Sequence, residues 1–404
     1  MGLRLLTLST KNNIPLGLLR PERVRALRVT ANADLPMVLR WNAALMLDPA
    51  RTSIPQGFGV VLLRQDSQCA KDNQCGGLLI DPSLHYLSEG DVIKLTPEFR
   101  LIVVYRRNAS INSLLVTERC NSLCLMCSQP PRDIDDSHLV DELLDAIPLF
   151  DPGTREVGIT GGEPTLLGPR LLELLRALKA HLPHTGVHML SNGRNFKALP
   201  LAQSIAALHH HDLMIGIPVY SDIPSLHDYV VQADGAFDET IRGILNLKRC
   251  GVRVEIRVVI HRSTYARLPA LARFIARNLQ FVDQVALMGL EMTGFTKVNL
   301  SELWIDPVDY QQELTQAVQI LRASRVKPSI YNHQLCLLSP SIRKYAVRSI
   351  SDWKNEYMPE CERCELRQEC GGFFSSAKLK YSAHIKPQRR DSGSMASVPV
   401  EAEC

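Results

Sequence analysis

Short apolar runs alternate with longer amphipathic stretches along the chain from residue 112 onward. In the amphipathic stretches, apolar residues recur at the three- to four-residue spacing of a helix face. Strands that alternate with helices in this way form a parallel sheet. Six such units are fewer than the eight of a closed TIM barrel, so the pattern predicts an α/β fold with a partial (β/α)6 TIM-like barrel. The six predicted strands are residues 113–117, 156–160, 187–191, 213–219, 252–260 and 282–290.

The rest of the chain is patterned differently, and this sets the expected domain boundaries. Residues 1–110 contain short apolar runs separated by Gly, Pro and Asp, which predicts a β-rich N-terminal module, either a small barrel or a sandwich. The partial barrel is expected to occupy residues 111–327, and a Cys-rich auxiliary region residues 328–381. Residues 382–404 are polar, carry Pro and Ser and show no period, which predicts a disordered tail.

Composition is that of an ordinary globular protein. Of the 404 residues, 45% are hydrophobic and 22% are charged, and the formal net charge is +4. A chain so close to neutral gives no indication of a nucleic-acid or membrane partner. We find no apolar stretch of about 18 residues and no secretory signal sequence, so the expected location is the cytoplasm.

The eleven cysteines are the most informative feature of the composition. In a long chain without a recognisable signal sequence, tightly spaced cysteines favour metal or redox chemistry over disulfides. Seven of them fall into two sets, one directly after the first predicted barrel strand and one in the auxiliary region.

The first set is Cys120, Cys124 and Cys127, with the spacing C-x3-C-x2-C. It follows the carboxyl end of a predicted parallel strand, where barrel active sites are built. Iron–sulfur cubes usually have four Cys ligands, so three thiolates leave one iron of a [4Fe–4S] cluster without a protein ligand. An open metal position is where a substrate or cofactor binds. The alternatives are a zinc site, which normally has four protein ligands, or free buried thiols.

The segment CNSLCLMC resembles the signature of the radical S-adenosylmethionine (SAM) enzymes. Met126 stands where that family usually has an aromatic residue. The resemblance implies that the open iron chelates the amino and carboxylate groups of SAM. One-electron reduction would then cleave SAM to a 5′-deoxyadenosyl radical, which abstracts hydrogen from a substrate. The protein supplies position and excludes water.

Further cofactor-binding residues are expected where the next two strands end. The second strand ends in GITGGEP, which matches the family's GGEP motif for the SAM amino group. Its residues here are Gly161, Gly162, Glu163 and Pro164. The third strand ends in LSNGR, and the resemblance implies that Ser191 and Asn192 contact the SAM ribose. The alternative at both places is an ordinary turn without a ligand.

Two residues of later strands complete the predicted cofactor site. Arg257 lies in an apolar run and needs an anionic partner, for which the SAM carboxylate is a candidate and a structural partner elsewhere the alternative. Glu255 is discounted as that partner, because side chains two apart on a strand share a face but point side by side. Met288 ends the sixth strand and is expected to pack on adenine, with plain core packing as the alternative.

The second set, Cys361, Cys364 and Cys370, has the spacing C-x2-C-x5-C, and Cys336 would complete four ligands. Four thiolates suit an auxiliary iron–sulfur cluster or structural zinc. The spacing resembles that of the SPASM-type regions of peptide-modifying radical SAM enzymes, although their further Cys is missing here. We therefore expect one auxiliary [4Fe–4S] cluster, with zinc as the less favoured metal.

The arrangement as a whole resembles the C-type radical SAM maturases of His-Xaa-Ser peptide systems. The resemblance implies a ribosomally made peptide with His-Xaa-Ser repeats as substrate and a second radical SAM maturase as partner. An electron donor such as a flavodoxin or ferredoxin is also expected. Two other hypotheses remain: a radical SAM enzyme that acts on a small molecule or activates a glycyl-radical enzyme, and a non-catalytic iron–sulfur redox sensor.

Overall fold

The computed structural model describes residues 9–17, 21–71, 76–348 and 356–390. Within these residues the N-terminal part forms an eight-stranded sheet, and a seven-stranded parallel sheet follows it. One short helix, α1 (Met37–Arg40), accompanies the first sheet. The strands of the eight-stranded sheet are β1 (Ser9–Thr10), β2 (Ile14–Leu16), β3 (Arg25–Thr30), β4 (Ala43–Met46), β5 (Val60–Leu63), β6 (Gly77–Leu79), β7 (Val92–Leu95) and β8 (Leu101–Tyr105).

The N-terminal sheet is rolled up. Its strand order is β1-β8-β7-β3-β4-β5-β6-β2, so β1 and β2 lie at opposite edges. Only residues 11–13 join these two strands, and so short a link spans on the order of 10–14 Å even when fully extended. The two edges must therefore come close together, as in the barrel that was one of the two predicted forms. Leu27, Leu62 and Ile93 are fully buried within it.

The second sheet is built from alternating strands and helices. Its strands are β9 (Asn112–Leu115), β10 (Glu156–Thr160), β11 (Gly186–Leu190), β12 (Leu213–Pro218), β13 (Arg253–Ile260), β14 (Gln284–Gly289) and β15 (Pro328–Tyr331). Its helices are α2 (His138–Ala146), α3 (Pro169–His181), α4 (Leu199–Ala206), α5 (Pro224–Val231), α6 (Ala236–Arg249), α7 (Leu268–Asn278), α8 (Leu300–Leu303) and α9 (Gln311–Ala323). Strand order follows chain order and every neighbouring pair is parallel, which is the predicted partial barrel.

The six predicted barrel strands are confirmed, with ends that differ by two residues or fewer. The structure adds a seventh, β15, at the edge next to β14. This strand was missed because it has only four residues and no amphipathic helix follows it before the second Cys set. The expected boundary at residue 327 therefore falls immediately before a strand of the barrel sheet.

The two faces of the barrel sheet differ in polarity. Val157, Ile159 and Ile256 belong to the buried core between the sheet and its helices. The alternate positions carry polar side chains that contact one another, among them His188 and Glu255. Because side chains alternate between the faces of a strand, these polar residues line the concave interior of the half-barrel, called the lumen below.

The Cys-rich region continues beyond the expected boundary at residue 381. The backbone N–H of Gln388 lies 3.4 Å from the sulfur of Cys364, and Glu365 donates its N–H to the carbonyl of Gln388 at 3.0 Å. Residues 382–390 thus pack against the second Cys set, while residues 391–404 of the predicted tail lie outside the described residues. In the part of the chain that the structure describes, no helix is long and apolar enough to span a bilayer.

Candidate active site

The first Cys set lies in the loop that follows β9, at the carboxyl edge of the barrel sheet. Backbone hydrogen bonds hold this loop on two sides. Gly162 donates to the carbonyl of Thr117 and Glu163 to that of Arg119, both at 2.8 Å. Leu123 donates to the carbonyl of Val231 at the end of α5. The loop is therefore fixed between the turn after β10 and the end of α5.

The three thiols of this loop are half-buried and influence one another. Burial raises the pKa of Cys120 to about 11 and that of Cys124 to about 12. The neighbouring Cys127, and to a smaller extent Cys120, raise the pKa of Cys124 further. Metal coordination deprotonates a thiol outright, so these groups become thiolates by binding metal rather than by ionising alone. Three thiols of one loop that lie close enough to influence one another fit a cluster that keeps one iron free of protein ligands.

The turn after β10 approaches the Cys loop closely because it is made of glycines. A Cβ atom at Gly162 would stand 2.0 Å from the carbonyl oxygen of Arg119 and 3.1 Å from the Cβ of Cys120. A Cβ at Gly161, which has φ +151°, would stand 2.3 Å from the carbonyl oxygen of Thr117. A side chain at either position would push the Cys loop away.

Gly162→Ala is expected to lower the iron content of the first Cys set and to destabilise the fold, because the new methyl group displaces Arg119 and Cys120. Overpacking of this kind typically costs about 1–3 kcal/mol. Iron per protein after anaerobic reconstitution and the urea midpoint measure the two effects. Gly186→Ala is the matched control, since a Cβ there would make only ordinary contacts, the nearest at 3.4 Å. A Gly162→Ala variant with wild-type iron content and a wild-type urea midpoint would contradict the close approach of this turn to the Cys loop.

Glu163 is the hydrogen-bond centre of the site rather than an open ligand. Its carboxylate, with no exposed surface, accepts the N–H of Thr165 at 3.0 Å and the hydroxyl of Ser191 at 2.8 Å. It also accepts the N–H of Asn192 at 2.6 Å. Glu163 and Ser191, both predicted to contact SAM, therefore face each other and join the turns after β10 and β11. Burial raises the pKa of Glu163, and Pro164 begins the helical turn that follows it.

The turn after β11 also reaches the Cys loop. Asn192 donates its amide to the side-chain oxygen of Asn121 at 2.5 Å, and the same nitrogen lies 4.0 Å from the sulfur of Cys120. Arg194 donates to the hydroxyl of Ser122 at 3.2 Å and to Glu239 at 2.7 Å. Arg194 was missed from the sequence, where the available signal was a basic residue directly after the Asn-Gly turn.

Arg257 has the partner that the sequence argument discounted. Its guanidinium donates to the carboxylate of Glu255 at 2.6 Å, and the Glu255 side chain is 1% exposed. The exclusion of Glu255 was wrong, because residues two apart on a strand are separated by only about 6.6 Å and both side chains are long. His188 of β11 lies 3.5 Å from the same carboxylate, and Gln284 of β14 donates to its other oxygen.

Met288 lies on the lumen side of β14, where it is partly exposed. The strand register places it beside Val259 on β13 and Tyr331 on β15. Its neighbour Gly289 meets the turn after β15, where a Cβ would stand 2.4 Å from the carbonyl oxygen of Asn332. Met288 therefore borders the lumen rather than the buried core behind the sheet, and its contact with adenine stays a prediction.

The second Cys set surrounds one small cavity. Cys336, Cys361, Cys364 and Cys370 all line an empty volume of about 330 Å³. Backbone N–H groups point at the sulfurs, with Leu335 and Gly372 at 3.4 and 3.5 Å from Cys370. Four thiols with nearby backbone N–H donors suit an iron–sulfur cluster, because hydrogen bonds to the sulfurs help to set its reduction potential.

A larger cavity of about 740 Å³ lies between the barrel mouth and the second Cys set. Gly372 and Phe373 line this cavity and also the smaller one at the second Cys set. On the barrel side it is lined by Leu290, which packs against a small apolar cluster around Met126, and Cys124 packs against the same cluster. Its aromatic lining residues are Trp304, Tyr310, Phe373, Phe374 and Tyr381.

These features define a class of protein: a partial α/β barrel with three thiols at the carboxyl edge of its sheet, of the kind that holds an iron–sulfur cluster with an open iron. Residues 114–275, which include the first Cys set, match the family model of the Radical SAM superfamily. This family uses a [4Fe–4S] cluster and SAM. Within the described ranges, no group of three or more His, Cys, Asp or Glu side chains is placed to hold a single metal ion.

Two curated relatives share part of this chain. It is 26% identical over 225 residues to a probable GTP 3′,8-cyclase of Sulfurisphaera tokodaii, a match that covers 54% of the chain and 66% of the relative. It is 30% identical over 202 residues to the GTP 3′,8-cyclase of Actinobacillus succinogenes, covering 48% of the chain and 57% of the relative. The chain thus spans less than two thirds of the length of these relatives.

Among solved structures, Streptococcus suis SuiB bound to S-adenosylmethionine is similar, with a TM-score of 0.45 and 16% sequence identity. The alignment covers 55% of this chain and 51% of SuiB.

Proposed function

We propose that this radical SAM enzyme modifies a ribosomally made peptide of the His-Xaa-Ser repeat type by hydrogen abstraction. The observation that carries the proposal is the cavity of about 740 Å³ between the barrel mouth and the second Cys set. Gly372 and Phe373 line both this cavity and the smaller one at the second Cys set. Leu290 in its wall packs against an apolar cluster against which Cys124 also packs. Its aromatic lining suits a peptide side chain that enters between the barrel and the auxiliary region.

Each group of site residues has a role in this proposal. Cys120, Cys124 and Cys127 hold the [4Fe–4S] cluster, and the turns after β10 and β11 hold SAM. The glycine backbone at positions 161 and 162 lies close enough to the Cys loop to meet a SAM amino group there. When bound, the cluster and SAM supply a one-electron cleavage that generates a hydrogen-abstracting radical. The chain positions the peptide and excludes water from the cavity.

The second Cys set is proposed to hold one auxiliary [4Fe–4S] cluster. Four thiols that line one cavity, with backbone N–H groups directed at Cys364 and Cys370, support this assignment over unconnected free thiols. Zinc is the alternative metal for four thiolates. Counting iron and zinc in the purified protein distinguishes the two.

The proposal includes partners and a compartment. Reduction of the first cluster needs a one-electron donor such as a flavodoxin or ferredoxin, and a second radical SAM maturase is proposed to act on the same peptide. The reducing cytoplasm suits a protein with so many free thiols.

A nucleotide substrate is the second candidate, because two relatives are named GTP 3′,8-cyclases. The lumen charges do not favour a triphosphate. Glu156, Glu255 and Arg257 contribute two carboxyl groups and one guanidinium, and that guanidinium is already paired. Burial raises the pKa of Glu156, and the neighbouring His188 opposes that rise. A polyanion would meet less positive charge here than phosphate-binding sites usually provide.

Incubation of the reconstituted, reduced enzyme with SAM under anaerobic conditions tests the proposal. A synthetic peptide with His-Xaa-Ser repeats is expected to increase 5′-deoxyadenosine formation and to change in mass, whereas GTP is not consumed. The triple variant of Cys120, Cys124 and Cys127 to alanine serves as the inactive control. Consumption of GTP with an unchanged peptide would favour the nucleotide candidate. Iron-loaded wild type that forms no 5′-deoxyadenosine with either substrate would instead support the redox sensor.

A further inference from the structure

An open cleft on the surface lies beside the second Cys set, and we call it the arginine cleft. Its lining residues are Arg348, Tyr357, Arg367, Gln368, Glu369 and Arg390. They come from two parts of the described chain, one before and one after residues 349–355, and from the end of the described residues. Three arginines and one carboxyl residue thus meet at one opening.

The positive charge of the arginine cleft is only partly balanced. Arg390, whose side chain is 65% exposed, pairs with Glu369 at 2.8 Å. Arg367 lies with its guanidinium carbon 4.7 Å from the centroid of the Tyr357 ring. Arg348 and Arg367 are exposed, and no carboxylate of the described residues pairs with either of them. The cleft therefore offers guanidinium groups that an anionic partner can bind.

The surroundings of the cleft are basic as well. Residues 336–348 and 356–390 contain ten Lys and Arg residues but only five Glu and no Asp. The whole chain of 404 residues has a formal net charge of only +4, so its positive charge is concentrated in this region. A potential of this sign attracts acidic proteins, and salt screens the attraction beyond a distance of about 10 Å at 0.1 M.

The arginine cleft directly adjoins the cavity of the second Cys set. Tyr357 and Arg367 line both of them, and the Tyr357 hydroxyl donates to the carbonyl of Cys370 at 3.0 Å. A protein seated in the cleft would therefore contact side chains that also line the thiol cavity. Such closeness is what a one-electron carrier needs, because electron transfer slows steeply with distance, whereas a nucleic acid has no use for it.

We propose that the arginine cleft is the docking surface for an acidic one-electron carrier protein, which donates one electron to a cluster held by the second Cys set. The inference rests on the auxiliary cluster proposed above. The reduced flavin or iron–sulfur centre of the carrier loses one electron and the cluster gains it, with no bond formed or broken and no proton transferred. Redox encounters of this kind bury small interfaces, and complementary charge raises their association rate.

Arg348→Glu combined with Arg390→Glu reverses the charge of the cleft and keeps Arg367, which borders the thiols. Both changes are made in the triple alanine variant of the first Cys set, so that only the second set takes up a cluster. Reduced flavodoxin, an acidic carrier, is mixed with this protein anaerobically, and stopped-flow absorbance follows reduction of the cluster. The second-order rate constant at low salt is expected to fall about tenfold or more, and the difference to shrink as salt is added.

Calorimetry measures the affinity for flavodoxin on the same proteins, and this measurement needs no cluster. The affinity is expected to fall together with the rate. Arg273→Glu combined with Arg277→Glu is the matched control, because both arginines are exposed on α7 and the net charge changes by the same amount. This control is expected to keep the rate and the affinity of its parent. Equal losses in the two double variants, or no loss in the cleft variant, overturn the docking surface.

Three further outcomes overturn the inference in distinguishable ways. Flavodoxin that binds at the cleft without reducing an iron-loaded second set overturns the electron transfer. An RNA oligonucleotide that binds through the same arginines and displaces flavodoxin assigns the cleft to nucleic acid instead. Zinc in place of iron in the second Cys set removes the auxiliary cluster and this inference together. SAM cleavage at the first Cys set, which tests the proposed function, is measured separately and does not depend on any of these results.

Discussion

Cys124→Ala is expected to abolish 5′-deoxyadenosine formation. Cys124 is the central thiol of the C-x3-C-x2-C loop, and the other two thiols contribute to the rise of its pKa. With only two thiolates left, the cluster loses its defined open iron and SAM loses its chelating site. Because residues that act as a unit in catalysis lose most of the activity when any one of them is removed, the rate of 5′-deoxyadenosine formation is expected to fall on the order of 10³-fold or more. Chromatographic quantification of 5′-deoxyadenosine from reduced, reconstituted protein measures it.

Cys250→Ala is the control for this prediction. Cys250 is also half-buried, but it directly follows α6 and belongs to neither Cys set. Its variant is expected to keep wild-type iron content and SAM cleavage. If Cys124→Ala retained substantial SAM cleavage, Cys124 would not be a ligand of the catalytic cluster, and the three-thiol assignment would have to change.

The course of the barrel could be predicted because each of its first six strands is an apolar run followed by an amphipathic helix. The burial that produces this pattern is local to each strand and its helix, as in Val157 and Ile159 of β10. β15 has only four residues and pairs at the edge of the sheet, so its stability depends on β14 rather than on its own sequence. Residues 382–390 are mostly polar, and composition does not reveal that the backbone of Gln388 bonds to Cys364 and that of Arg390 to Glu365.

Side-chain partners in the site were harder to predict than the elements that carry them. Both Cys sets could be predicted from spacing, because Cys120, Cys124 and Cys127 and likewise Cys361, Cys364 and Cys370 lie close together along the chain. The structure adds that Cys336, which lies further away in sequence, lines the same cavity as the other three thiols of the second set. Glu163 was identified from its motif, but its bonds to Ser191 and Asn192 depend on the distance between two strands.

The pairing of Arg257 with Glu255 shows how the lumen is organised. Glu255 accepts from Arg257 and Gln284, and His188 lies 3.5 Å from it. Gly216 leaves room for this arrangement, because a Cβ there would stand 2.9 Å from the Cδ of Arg257 and 3.0 Å from the Nε2 of His188. The charge of Arg257 is thus already balanced within the protein, which reduces its availability for the SAM carboxylate.

Glu255→Gln is expected to destabilise the protein at pH 7 by roughly 3 kcal/mol, because it leaves the Arg257 charge without its buried partner. His188 and Arg257 hold the pKa of Glu255 down, from its usual 4.5 to about 2, against the effect of burial. A carboxyl group whose pKa is lower in the folded state than in the unfolded chain stabilises the folded state. This stabilisation is complete at pH values above the pKa that the group has in the unfolded chain. The stabilisation is lost as the pH falls through the pKa that the group has in the folded state. The gap between wild type and variant should therefore be widest above pH 4.5 and narrow toward pH 2.

Urea unfolding of both proteins between pH 7 and pH 3 measures this gap. Glu173→Gln is the control, because Glu173 pairs with Arg170 on the surface, where its side chain is 49% exposed, and such pairs contribute little. It is expected to follow wild type across the range. A Glu255→Gln protein as stable as wild type at pH 7 would show that Arg257 finds another anion or water. A gap that stayed constant down to pH 3 would show that the loss comes from packing or hydrogen bonding rather than from the charge of Glu255.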